Sequence, residues 1–388
     1  MSNYLMDTYK RYPVSFSNGE GAWLFDKDGN RYLDFSAGIA VNILGHNHPK
    51  INAALKDNVE KIWHVSNLYS IPEQEELAKK LCELSFADKA FFCNSGAEAV
   101  EGAIKIARRF HFVNNSERNE IITFKNSFHG RTLATIAASS NPKHIEGFDP
   151  LPKGFIQIEV DEVELERNIT KKTAAILIEP IQGEGGINII PEDFLLKIRK
   201  LCDENNLLMI LDEVQCGLGR TGKLFAYEYS GVSPDIITIA KALGAGLPIG
   251  AILTTNNVSE AMNNGSHGST FGGNPLCSSI ASKVLDVLYE ENLLSNVDNL
   301  SDLLNEGIND LIKKHGNKLS SIKGKGFMIG IECLADNGKI AEEALKNGLL
   351  LVPAANNVIR ILPPLNIGKS EIEEFFNLLN ITLENLDD

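Results

Sequence analysis

The 388-residue chain has no C-x-x-C pair, although it holds six cysteines, at 82, 93, 202, 216, 277 and 333. Scattered in this way, they are expected to be reduced thiols of a cytoplasmic protein rather than a disulfide framework. No apolar run reaches the roughly 18 residues that a membrane span needs. Residues 1–12 are polar and lack the apolar core of a secretion signal. Positive charge is also scarce, since 37 lysines and arginines face 51 acids and leave a net charge of -14. Such a balance argues against nucleic acid or an anionic membrane surface as the main partner. It does not exclude a small, locally positive pocket for a small anion. Metal ligands fail to gather as well. Gly45-His46-Asn47-His48-Pro49 comes nearest, but without a Cys, Asp or Glu close by it reads as a turn, and no metal is expected.

What is present describes a globular enzyme-sized protein. Hydrophobic residues make up 43% and charged residues 23%, which excludes a disordered chain, and the length favours two domains. No repeat, low-complexity segment or long linker is visible. Residues 23–26 and 31–35 flank the turn Asp28-Gly29-Asn30 and predict a hairpin. Short apolar runs at 121–124, 174–178, 207–211 and 235–240 alternate with helical patterns such as 194–202. That alternation predicts an α/β fold with a mainly parallel sheet covered by helices. The last hundred or so residues change character. Helices are expected at 278–290, 297–314 and 340–347, the last closed by Gly348, with a strand near 326–333. This pattern suggests a smaller α+β domain, joined by the N-terminal hairpin.

In open parallel sheets, ligands bind beyond the carboxyl ends of the strands, and polar residues stand at several of these ends. Asn94-Ser95-Gly96-Ala97-Glu98 opens a helix, with Ser95 and Glu98 spaced as a capping box. Free amides there, beside a glycine, suit an anion, although a capped helix with nothing bound reads identically. The run 207–211 ends in Asp212-Glu213-Val214-Gln215, and the run 235–240 ends in Lys241, followed by a small-residue loop expected to be mobile. A carboxylate and a lysine on one sheet edge suit pyridoxal chemistry. The amine binds the cofactor's aldehyde, and the acid keeps the ring nitrogen protonated. Residues 217–223 match both G-x-G-x-x-G and G-x-x-x-x-G-K. However, Leu224 stands where a phosphate loop needs Ser or Thr, and Asp212 to Gln215 separate the glycines from their strand. Both nucleotide readings therefore fail on context.

Taken together, seven segments in order resemble the class III aminotransferases, of the pyridoxal-phosphate fold type I superfamily. They are 94–99, 127–132, 179–186, 212–215, 219–222, 240–243 and 267–275. The resemblance covers nearly the whole chain and implies pyridoxal 5'-phosphate as cofactor. It implies residues 1–45 as a segment joining the small domain, 46–284 as the large cofactor-binding domain and 285–388 as the small domain. Ser95, Gly96 and Ala97 would hold the phosphate, and Phe128 would stack on the ring. Asp212 would pair with the pyridine nitrogen, with Glu213, Val214 and Gln215 beside it, and Lys241 would carry the cofactor. Thr270 would reach the phosphate of the neighbouring subunit, which implies a homodimer.

The resemblance also assigns the substrate side. Arg360 would bind the α-carboxylate of glutamate or 2-oxoglutarate, and Glu184 would mask it during the other half-reaction. Arg131, with Ser269 nearby, would bind the carboxylate of the amino donor. Within the class, the wording leans to the arginine-biosynthesis branch that acts on an acylated ornithine. Aminotransferases for ornithine, succinylornithine, 4-aminobutyrate and succinyldiaminopimelate share fold and cofactor, as do aminomutases of the glutamate-1-semialdehyde type. The small, apolar stretch 38–42 favours an acylated donor over free ornithine.

Overall fold

The computed structural model describes residues 4–139 and 141–386. Residues 1–3, 140 and 387–388, which fall in the expected N-terminal, large and C-terminal segments, lie outside it. Its centre is a seven-stranded sheet in the order Lys89–Cys93, Gly250–Thr254, Ile236–Ile239, Leu208–Asp212, Thr173–Ile178, Glu120–Phe124, Phe155–Ile158. Gly250–Thr254 runs antiparallel to both neighbours, and the other pairs are parallel.

The inner strands are apolar throughout because both of their faces are covered. Ile176, Ile178, Met209, Leu211, Ile237 and Ile239 join one hydrophobic cluster, while Ala175, Leu177, Leu208, Ile210 and Ile236 join another. This is the two-residue period of a strand. Helix Gly96–Val113 covers the second face through Val100, Ala103, Ile104 and Ala107. Helices Glu192–Asn205 and Pro275–Glu290 bring Ile198, Ile280 and Val284 to the first. Each fully buried Leu or Ile contributes roughly 1.5–3 kcal/mol, so Asp212 is carried on a firmly held strand.

Two smaller sheets flank this centre. The expected hairpin forms from Trp23–Asp26 and Arg31–Asp34, and Phe16–Glu20 adds a third strand that the sequence reading did not include. The Asp26 carboxylate accepts from the amides of Asp28 and Asn30, both at 2.9 Å, and so fixes the turn. Leu349–Leu350 pairs in parallel with Arg31–Asp34, directly after helix Asn337–Lys346 and Gly348. The start of the chain is thereby tied to its C-terminal part. The third sheet is antiparallel, in the order Leu319–Lys325, Met328–Cys333, Val358–Ile361, Val352–Ala354. Helices Leu293–Lys314 and Lys369–Asn385 pack on it through Leu304, Ile308, Phe375 and Leu379.

His46 and His48 do not converge. His46 Nε2 lies 2.8 Å from Asp34, and His48 Nε2 lies 3.3 Å from Glu291, with Asn47 between them at φ 58. The turn at these residues directs the two rings to different carboxylates.

Candidate active site

Six of the seven central strands point the same way, so their carboxyl ends form one edge. Along it lies a cavity of about 430 Å³, lined among others by Ser95, Gly96, Ala97, Phe128, Asp212, Val214, Gln215 and Lys241. Each comes from a different strand end or the turn after it.

Helix Gly96–Val113 presents its first turn to this cavity. Ser95 Oγ accepts from the Glu98 amide at 3.2 Å, as a helix cap should. The expected capping box is only half formed. The Glu98 carboxylate reaches past Ser95 and accepts from the amide of Asn94 at 2.5 Å and its Nδ2 at 3.0 Å. The Gly96 and Ala97 amides belong to the turn that has no intrahelical acceptors. A Cβ on Gly96 would lie 2.7 Å from Val214, so only glycine allows the helix start to sit against that loop.

Asp212 closes its strand within the cavity wall and is 4% exposed. His129 Nδ1 lies 2.8 Å from its Oδ2, while its Oδ1 accepts from Val214 N at 3.1 Å and Thr238 Oγ1 at 3.3 Å. Burial pulls the His129 pKa down, yet the hydrogen bond and negative charge of Asp212 outweigh it, and the net shift is upward from 6.5. A neighbouring buried acid, Glu179, accepts from Phe128 N at 2.7 Å and Gly183 N at 3.1 Å. Burial raises its carboxyl to about 7, against the lowering effect of His129. Glu179 thus ties the Phe128 turn to the following loop, and Phe128 lines the cavity.

Lys241 opens a hydrogen-bonded 3-10 turn, Lys241–Gly244, where the sequence suggested a mobile loop. Small residues here serve tight packing, with Leu243 fully buried, rather than mobility. Lys241 has φ 40, a region sparsely used by non-glycine residues. Burial in the cleft lowers its amine pKa below 10.5, with Glu184, Arg360 and Asp212 in its field. A lowered value favours the free amine, the form that reacts with an aldehyde.

On the substrate side, Arg360 is 1% exposed and donates from Nη1 to Glu184 Oε1 at 2.6 Å and Gln215 Oε1 at 3.3 Å. Arg131 is exposed at the cavity mouth, its guanidinium 5.5 Å from the Phe128 ring centroid. Three expected residues lie elsewhere. Glu213 turns away, its carboxylate accepting from the amides of Ala226 at 2.7 Å and Tyr227 at 2.8 Å. Ser269 Oγ accepts from Asn94 Nδ2 at 3.2 Å and from Gly272 N at 3.0 Å, which ties its loop to the helix start. Thr270 beside it is exposed and does not line the cavity of its own chain. The sequence reading gave no role to His129, Glu179, Asn94 or Val41, all of which line the cavity. Glu179 carries the same signal as Asp212, an acid ending an apolar strand, and could have been found by it.

A lysine amine, a carboxylate and a glycine-containing helix start around one cavity match the aldehyde, ring nitrogen and phosphate of pyridoxal phosphate. Fold and cleft together define a fold type I pyridoxal-phosphate enzyme. The family described as aminotransferase class-III matches residues 4–383, and this chain belongs to it. It is 50% identical over 386 residues to the acetylornithine aminotransferase of Mesorhizobium japonicum, covering 99% of this chain and 97% of that one. Among solved structures, the ornithine aminotransferase of Toxoplasma gondii superposes with a TM-score of 0.94 at 32% identity, covering 98% of this chain and 92% of that one. N-acetylornithine aminotransferase of Stenotrophomonas maltophilia superposes at 0.85 with 37% identity, covering 97% of each chain.

Proposed function

We propose that this chain transfers the δ-amino group of N2-acetyl-L-ornithine to 2-oxoglutarate in arginine biosynthesis, releasing N-acetyl-L-glutamate 5-semialdehyde and L-glutamate. The observation that carries this reading is the 2.6 Å ion pair of Arg360 with Glu184, set in the same cavity as Lys241 and Asp212. An enzyme that alternates between two substrates must bind an α-carboxylate in one half-reaction and present no free cation in the other. A guanidinium forms two parallel bonds to a carboxylate, and Glu184, one-third exposed, can swing off when a substrate carboxylate competes. Arg131 at the mouth supports a second carboxylate site, for the acylated donor.

Pyridoxal phosphate, when bound, supplies an electron-withdrawing ring that holds the amino group between the half-reactions. The chain's own groups would do the rest. The first-turn amides at Gly96 and Ala97 with Ser95 would hold the phosphate, and Phe128 would cover one ring face. Asp212, kept in place by His129, would keep the ring nitrogen protonated, with Val214 and Gln215 beside the ring. Lys241 would release its amine when substrate enters and then move a proton to and from the substrate carbon as general base and acid.

The fuller arrangement proposed is a cytoplasmic homodimer, with Thr270 lent to the partner's phosphate. Exposed Thr270 shares a patch with exposed Trp63, Leu68, Tyr69 and Phe271, joined by Asn67 Nδ2 donating to Ser269 O at 3.1 Å and Gly272 O at 3.0 Å. A panel of amino donors, run with and without 2-oxoglutarate, tests the reading. Acetylornithine should be preferred and turnover should require the oxo acid. Preference for unacylated ornithine would replace the substrate, and sustained turnover without oxo acid would indicate an aminomutase.

A further inference from the structure

The two bulkiest fully buried side chains of the described residues are both arginines, Arg360 and Arg220. Only Arg360 has a carboxylate partner. Arg220 Nη1 donates to the backbone carbonyls of Phe327, at 3.2 Å, and Pro363. Burial alone lowers its pKa, to about 9. A buried cation without a counter-ion is unfavourable by several kcal/mol, and an apolar side chain would fill the space more cheaply. The guanidinium therefore has a geometric task, since its rigid fork can bridge groups that a lysine or methionine could not hold together.

The two carbonyls explain that task. Phe327 immediately precedes strand Met328–Cys333, and Pro363 follows strand Val358–Ile361. These strands are antiparallel, with Ile329 opposite Ile361 and Gly330 opposite Arg360. Phe327 and Pro363 consequently end the same side of the pair, a short step from Arg360. The Phe327 amide in turn donates to Arg220 O at 3.0 Å. A Cβ on Gly326, which has φ +59, would lie 2.5 Å from the Thr221 backbone, so the two segments touch main chain to main chain. At the other end of this loop, Gln215 Oε1 accepts from Arg360 itself. One segment, running from Asp212 to Arg220, meets the cofactor's expected acid, the side chain of Arg360 and the strand end beyond it.

We propose that Arg220 is a positioning residue for substrate specificity: it fixes the strand pair that carries Arg360, and so the distance from Arg360 to the Asp212 side of the cavity. A dicarboxylate whose distal carboxylate must reach Arg360 depends on that distance, whereas a donor held by Arg131 does not. This rests on the reading that Arg360 receives the α-carboxylate of glutamate and 2-oxoglutarate.

The test uses cofactor-loaded enzyme and glutarate, an unreactive dicarboxylate, with affinity measured by calorimetry beside kinetics and thermal unfolding. Arg220→Met should weaken glutarate binding and raise KM for 2-oxoglutarate by about tenfold, the equivalent of one charge-assisted hydrogen bond's worth of placement. The KM for acetylornithine, the half-reaction rate with it and the cofactor absorbance should stay near wild type. Arg220→Lys, which keeps the charge and can reach one carbonyl, should recover part of the glutarate affinity. If Arg220→Met does not fold, Arg220→Lys alone decides, with a roughly threefold loss of glutarate affinity expected at unchanged donor KM. Unaltered glutarate affinity, or a loss shared equally by both substrates and following the fall in Tm, overturns the proposal. Arg360→Met is the control. If that variant binds glutarate normally, the carboxylate reading of Arg360 has failed; if it binds weakly while Arg220→Met binds normally, only the positioning role has failed.

Discussion

Single side chains decide the chemistry through their burial. Asp212 and Lys241 were legible because each breaks an apolar run at its end, and polarity at such a place has few structural explanations. His129 was not, because the signal that marks it is spatial. It lies in the turn after one strand and meets an acid ending another, 2.8 Å away. The pair makes a prediction for the protein without cofactor. Replacing His129 by Leu leaves Asp212 buried beside an apolar group and should lower unfolding stability by about 3 kcal/mol near pH 6. The folded pKa of His129 is raised above 6.5, so the contribution of the pair is complete below that value and is lost as pH rises through the folded one. Urea unfolding of wild type and variant should therefore show a gap that narrows between about pH 6 and pH 9. A gap independent of pH would mean that the pair is not ionic.

Strands and helices were read well where periodicity had something to contrast, and poorly where it did not. Helix Gly96–Val113 buries Val100, Ala103, Ile104 and Ala107 on one face, and its start could be read from Ser95. The antiparallel direction of Gly250–Thr254 could not be read, since a strand buried on both faces carries no mark of direction. Glycines at 217–223 imitated a phosphate loop because tight turns and phosphate loops need the same residue. Here the loop meets the C-terminal sheet through Arg220. The cap itself gives the prediction at this scale. Ser95→Ala removes the acceptor for the Glu98 amide and should reduce stability by about 1 kcal/mol, with a loss of cofactor affinity beyond that of a distant cap such as Asp161→Ala. Equal cofactor affinity in the two variants would separate Ser95 from the phosphate.

The whole molecule carries a net charge of -14, yet it gathers Lys241, Arg131 and Arg360 around one cavity, so the local field there opposes the global one. Its uncovered apolar patch lies apart, at Trp63, Leu68, Tyr69 and Phe271. Trp63→Glu places a charge in that patch and should halve the mass seen by sedimentation equilibrium, while shedding cofactor because Thr270 no longer reaches a neighbour. A variant that sediments like wild type would remove this face as the subunit contact.

Ser95, Asp212 and Lys241 belong to stretches of chain that meet only after distant strands have paired across the sheet. No partial fragment can therefore offer half a binding site, and a newly made polypeptide gains its grip on the vitamin-derived group late and all at once. Capture then drains the unfolded population by mass action, so nutritional supply of that vitamin becomes a determinant of how much of this protein persists in the cell.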